Sequence, residues 1–124
     1  MDQALALYIT TYYSELMTAE EHVANRHLAT AFKATSGRSD RVAQDEVRSE
    51  GGLRARWLSD DPRILELTAD GIDAFRRRVA TRILAEHPHE IFLNYCPQCG
   101  GLTRTPKAKL CLHCGHSWHH ETAG

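Results

Sequence analysis

Three observations predict a mostly α (α+β) protein. Apolar residues recur at helical spacing through most of residues 1–88, that region closes on His87-Pro88, and all four cysteines of the 124-residue chain lie between positions 96 and 114. The first two predict a helical N-terminal domain over residues 1–88; the third predicts a small C-terminal β-hairpin module over residues 89–124.

Residues 2–17 place Leu5, Ile9, Tyr12 or Tyr13, and Leu16 on one stripe, which predicts a first helix. Thr18-Ala19-Glu20-Glu21 has the capping-box pattern, Thr18 as N-cap and Glu21 three residues on. It should start a second helix running to about Ala34, with Ala24, Leu28, Ala31 and Phe32 on its buried side. Thr35 to Asp40 reads as a loop whose Ser39 or Asp40 caps a third helix, Arg41 to Ser49. Gly51-Gly52 ends that helix, and Leu53 to Leu58 can add a turn or two carrying Trp57. Asp61-Pro62 pairs an N-cap with proline at the first helical position, so a short helix Pro62 to Leu67 follows.

Thr68 or Asp70 then begins the strongest helix, with Ile72, Phe75, Val79 and Ile83 on one face. His87-Pro88 stops it, because the residue before proline avoids the helical region. Beyond it, Ile91 to Tyr95 reads as a strand, and Leu102 to Thr105 can pair with Lys109 to Cys111 across Pro106-Lys107-Ala108. Residues 119–124 read as a frayed tail. No internal repeat is evident. The junction His87 to Glu90 is too short for a free linker, so the two parts are expected to pack together.

Composition narrows the function classes. Apolar residues at 42% and charged residues at 25% are values of a globular chain rather than a disordered one. No run approaches the ~20 apolar residues of a membrane span, and the first residues lack the basic start of a signal peptide. A cytoplasmic protein is the expectation. The formal net charge of −1 offers no global attraction for nucleic acid or anionic lipid.

The cysteines stand as Cys96-Pro97-Gln98-Cys99-Gly100 and Cys111-Leu112-His113-Cys114-Gly115. Two thiolates two residues apart can bind one metal from a single turn, and a second pair completes a tetrahedral shell. The glycine after each pair supplies a positive-φ position where the backbone folds around the sulfurs. With four cysteine ligands, Cys96, Cys99, Cys111 and Cys114, no coordination position stays open, so the metal is expected to be structural zinc. Tetrathiolate iron uses the same spacing and stays open at this level. A thioredoxin-type redox pair would need a βαβ context, and haem attachment a histidine where Gly100 and Gly115 stand.

Residues 95–119, from Tyr95-Cys96 through Gly115-His116-Ser117-Trp118-His119, resemble a zinc ribbon with two zinc knuckles. The tail is also similar to the end of small bacterial proteins that join a helical region to such a ribbon. The resemblance implies a structural zinc and a surface that binds protein or nucleic acid, and it carries over the four cysteines alone.

Other clusters have plainer readings. His113, His116, His119 and His120 beside the last pair are expected to form a polar edge, with Trp118 packing back on the helices. Glu20, Glu21, His22 and His27 are expected on a solvated helix face, since a di-metal bundle needs helical Glu-x-x-His from two helices. Arg76, Arg77, Arg78 and Arg82 point about 100° apart in succession and cannot make one flat patch; Asp70, Asp73 and Glu86 are near enough to pair with them. No nucleophile–base set, phosphate loop or H-E-x-x-H is present, so no catalytic residue is assigned and the protein is not expected to be an enzyme. The expectation is an adaptor or regulatory protein that binds another protein, with Tyr95, Arg104, Lys107 and Trp118 as candidate contacts. Nucleic-acid binding through the basic edge formed by Arg104, Lys107 and Lys109 is the alternative; neither a membrane nor a small-molecule substrate is expected.

Overall fold

The computed structural model describes residues 1–118. Six helices precede the cysteines: α1 (Gln3–Tyr12), α2 (Ala19–Ala34), α3 (Arg41–Glu50), α4 (Gly52–Ala55), α5 (Pro62–Leu67) and α6 (Gly71–Glu86). The first predicted helix is shorter than its stripe. It ends at Tyr13, and a 3-10 turn, Ser14–Leu16, carries the chain to an extended Met17. No helix among the described residues is long and apolar enough to cross a membrane.

α6 is the centre of the core. It packs on α1 and α2, while α2 also meets α3 and α5. Phe75, Val79, Ala80 and Ile83 of α6 are buried with Ala6 and Ile9 of α1 and with Ala24 and Leu28 of α2. The expected stripes of α2 and α6 are thus the ones buried, except that Phe32 is exposed. It lies beside Gly37, at the edge of the α2 C-terminus, rather than under a neighbouring helix. At α4, Leu53 and Trp57 stand in solvent.

The capping box at α2 forms as its pattern requires: Glu21 N–H donates to Thr18 Oγ1 at 3.2 Å, and Thr18 N–H to Glu21 Oε1 at 2.8 Å. That carboxylate is not solvated. Arg82 of α6 donates to both its oxygens, at 2.9 Å from Nε to Oε2, and reaches the Leu16 carbonyl at 3.1 Å. One buried carboxylate therefore closes a helix terminus and pins α2 to α6. Its hydrogen bond is the main reason the Arg82 guanidinium is held above its ordinary pKa. Glu21→Ala is expected to lower the unfolding free energy by about 2–3 kcal/mol, losing a cap and leaving the half-buried Arg82 with only Glu86 and the Leu16 carbonyl as partners. Glu21→Gln should recover part of this, and urea titration of both variants measures it. Of the other expected acidic partners, Asp70 pairs with Arg78 at 3.7 Å and Glu86 with Arg82, whereas Asp73 makes no ion pair among the described residues.

His27 is a second correction to the solvated-face reading. Fully buried, it accepts from Ser59 N–H through Nδ1 at 2.9 Å, so the proton sits on Nε2 and faces Gln44 Oε1 at 2.6 Å. Gln44 in turn donates to the carbonyls of Ser39 and Thr68. Burial holds the imidazole below its ordinary pKa of 6.5. The unfolded chain therefore binds a proton that the folded chain resists. Stability from this site is complete above pH 6.5 and drains away as pH falls toward the depressed folded value. Denaturation of wild type and His27→Gln across that window is expected to show a steeper acid loss in wild type.

Asp70 was one candidate cap for α6, but its side chain makes no capping bond. Ser39, from the loop before α3, supplies it instead: its Oγ accepts from Ile72 N–H at 2.9 Å. Gly71 makes the approach possible, since its φ is +88° and a Cβ there would lie 3.2 Å from that hydroxyl.

The C-terminal segment differs most from expectation. Residues 91–94 form no strand, and Leu102–Thr105 does not pair with Lys109–Cys111. The described residues contain two isolated antiparallel bridges instead, Tyr95 with Leu102 and Leu110 with Ser117. Each closes across its own cysteine pair rather than joining one pair to the other.

Candidate metal centre

The local cause of the geometry is a hydrogen-bond unit that occurs twice, fifteen residues apart, although the side chains around the cysteines differ. In the first, Cys96 N–H donates to Gly101 O at 2.8 Å, Gly100 N–H to Cys96 O at 2.9 Å and Thr103 N–H to Asn94 O at 2.9 Å. In the second, Cys111 N–H donates to His116 O at 2.9 Å, Gly115 N–H to Cys111 O at 2.8 Å and Trp118 N–H to Lys109 O at 2.9 Å. Gly100 and Gly115 occupy the same position in each, at φ +75° and +80°, as expected of the glycine after each pair. A Cβ at either would touch nothing, so the requirement there is the backbone angle and not space. These are two copies of one claw, a repeat carried by the backbone.

The claws face each other. Cys96 Sγ lies 3.7 Å from Cys114 Sγ, and Cys99 Sγ lies 3.6 Å from Cys111 Sγ. All four ligand atoms fall within 4.8 Å of one another. A tetrahedron with metal–sulfur distances of ~2.3 Å has edges of about 3.8 Å, which the two facing pairs approach at 3.7 and 3.6 Å. A disulfide needs sulfurs ~2.05 Å apart; all four cysteines are free thiols. The four together can hold a metal ion.

The electrostatics point the same way. Burial opposes ionisation of Cys96, yet the amides of Cys99 and Gln98, donating to its sulfur at 3.4 and 3.3 Å, bring it down to about 6. For Cys114 the His116 amide favours the thiolate, but burial and the three neighbouring thiols overcome it and push the group up to about 12. The first thiolate forms readily and the last resists, as for like charges forced together. A bound cation removes that conflict.

Among the described residues, no other group of three or more His, Cys, Asp or Glu side chains converges on one point. His113 instead meets the Leu102 carbonyl at 3.2 Å, and a Cβ at Gly101 would approach its ring to 2.9 Å. His116 stacks on Trp118, with ring centroids 5.8 Å apart. Trp118 is only 7% exposed and is buried with Cys96 and Cys111. It covers these two cysteines, while Cys99 and Cys114 stay exposed, and it joins neither the helical core nor the open surface. Tyr95, Arg104 and Lys107 are exposed, as candidate contacts must be. His119 and His120 lie outside the described residues.

Three residues that hold the claws were not singled out from the sequence. Tyr8 of α1 donates to the Phe92 carbonyl at 2.6 Å and accepts from Asn94 N–H at 3.3 Å. Tyr13 accepts from Phe92 N–H at 2.9 Å. Asn94 is buried; its side-chain amide donates to Thr105 O at 3.0 Å and Ala108 O at 2.9 Å. The tyrosines fasten the first claw to α1, and Asn94 shapes the turn between claws. Ile91, Leu93 and Leu102 complete the attachment by packing against the helical core.

No protein-family model, curated protein or solved structure matches this chain.

Proposed function

We propose that the chain is a cytoplasmic adaptor or regulatory protein in which structural zinc, held by Cys96, Cys99, Cys111 and Cys114, stiffens a surface for protein–protein recognition. In this reading residues 1–88 are a helical scaffold, residues 89–124 are a zinc ribbon, and no residue is catalytic. The observation that carries it is the closed sulfur shell: four cysteines occupy every corner, which gives the metal a folding role and leaves no position for a substrate. Around that rigid centre, Tyr95, Arg104 and Lys107 meet solvent and can engage a partner with little ordering cost.

One observation favours nucleic acid as a second reading. Arg104, Lys107 and Lys109 form no ion pair among the described residues. A nuclease-treated pull-down of the tagged protein, with mass spectrometry and metal analysis of the eluate, separates the two. One near-stoichiometric protein partner and one zinc per chain are expected. Recovery of nucleic acid alone, and only without nuclease, would replace this reading with the second; iron in place of zinc would correct the metal.

A further inference from the structure

We propose that the seam between α1 and the two claws is a docking groove for an acidic peptide segment with apolar anchors, supplied by the partner protein. The inference rests on the protein-recognition reading and names the partner's chemistry. Two clefts, of about 660 and 430 Å³, lie along this seam and share Tyr12 as a common wall. Leu7 and Tyr12 line it from α1, and Leu102 and Leu112 from the cysteine-bearing segment. Leu7, Tyr12 and Leu112 are 45%, 42% and 57% exposed, which leaves apolar surface on both walls uncovered.

The charge at the groove has one sign. Arg104 and His113 line the larger cleft and Lys107 the smaller, and no aspartate or glutamate lines either. An apolar trough with basic ends complements a segment whose leucine- or phenylalanine-sized side chains are flanked by Asp or Glu. Single-stranded nucleic acid fits less well, since it needs cations along a backbone track and aromatic platforms in succession. Here there are two permanent cations, and of the tyrosines lining the clefts Tyr8 is buried and meets Tyr12 edge to face, so no row of open ring faces is offered. The groove is also pre-set: the Tyr8 and Tyr13 hydroxyls fix the first claw against α1, so the walls need no reordering on binding.

The test is selection of displayed random peptides, about a dozen residues long, on the zinc-loaded full chain. Parallel selections use Leu7→Asp and the charge reversal Arg104→Glu with Lys107→Glu. Zinc content and amide NMR spectra confirm that each variant is folded, and Leu112→Ser replaces any that is not. Fluorescein-labelled oligothymidine is titrated alongside. Enriched peptides should combine large apolar residues with Asp or Glu and bind both variants roughly tenfold or more weakly, a loss of about 1.4 kcal/mol. Peptides without an acidic bias, or unaffected by the variants, would overturn the groove while leaving protein recognition standing. A selection that enriches nothing also overturns the groove. If oligothymidine then binds in an Arg104-dependent way, protein recognition falls with it.

Discussion

In the proposed metal-bound form, removing the ion is expected to unfold residues 94–118 while α1 to α6 stay helical. The buried apolar cluster of this segment consists of Cys96, Cys111 and Trp118. Two of its three members are ligands, so little else replaces the ion once it leaves. Structural zinc in small modules contributes ~10–16 kcal/mol of apparent folding free energy, more than one indole, two isolated bridges, the Leu102 contact and the Asn94 hydrogen bonds are expected to supply. The helical core is a separate case, because Ile9, Leu28, Phe75 and Ile83 bury one another without reference to the sulfurs. Chelation, or Cys96→Ser or Cys111→Ser, should therefore abolish amide protection at Cys96, Cys111 and Trp118 in hydrogen exchange. Far-UV circular dichroism should keep most of its helical signal. Acid should act in the same direction, since the ligands bind as thiolates and protonation competes with the ion. A chelated protein that retained protection over residues 94–118 would contradict the metal assignment outright.

What could be read from the sequence divides along a physical line. Local chemistry was legible: Thr18 and Glu21 make their capping box, Asp61 caps α5 ahead of Pro62, and Gly100 and Gly115 take the positive φ that follows each cysteine pair. The spacing of the four cysteines was enough to bring their sulfurs together. What escaped depends on distant partners. Nothing within a few residues of Glu21 or His27 announces Arg82 or Ser59, so two buried polar groups read as surface. The expected pairing of Leu102–Thr105 with Lys109–Cys111 failed for a related reason. Strand propensity sees a run of residues, whereas each claw first satisfies its backbone by closing on itself. Trp118 was misplaced because an indole near a helical domain has an obvious hydrophobic home, and only the fold shows the sulfurs to be nearer. Tyr13 could be read as a stripe position and Tyr8 had no assigned part, yet both use their hydroxyls on a segment about eighty residues away.

Asn94 gives the sharpest test of how the claws are joined. Its side-chain amide is buried and donates both protons, to the carbonyls of Thr105 and Ala108, which bracket the Pro106-Lys107 turn between the claws. Asn94→Asp changes almost no volume but replaces two donors with an acceptor facing two acceptors. Thr105 O keeps the Ala108 N–H and the Thr103 hydroxyl as donors, but the Ala108 carbonyl left unsatisfied costs about 1–3 kcal/mol, and a buried carboxylate adds its own penalty. A loss of roughly 2–5 kcal/mol from the C-terminal segment is expected. Asn94→Leu should cost less, since it leaves the Ala108 carbonyl unpaired without adding a charge. The readout is transfer of the proposed metal ion to a competing chelator, because loosening the turn frees the two claws from a fixed separation and weakens the grip on the ion. Hydrogen exchange at Ala108, whose amide donates to Thr105 O, reports the turn directly. The same turn carries Lys107, with Arg104 just before it, so weakened partner binding should accompany weakened zinc retention. Were Asn94→Asp to keep both its zinc and its protected turn, the claws would be held together by the metal alone, and Asn94 would have no part in setting the recognition surface.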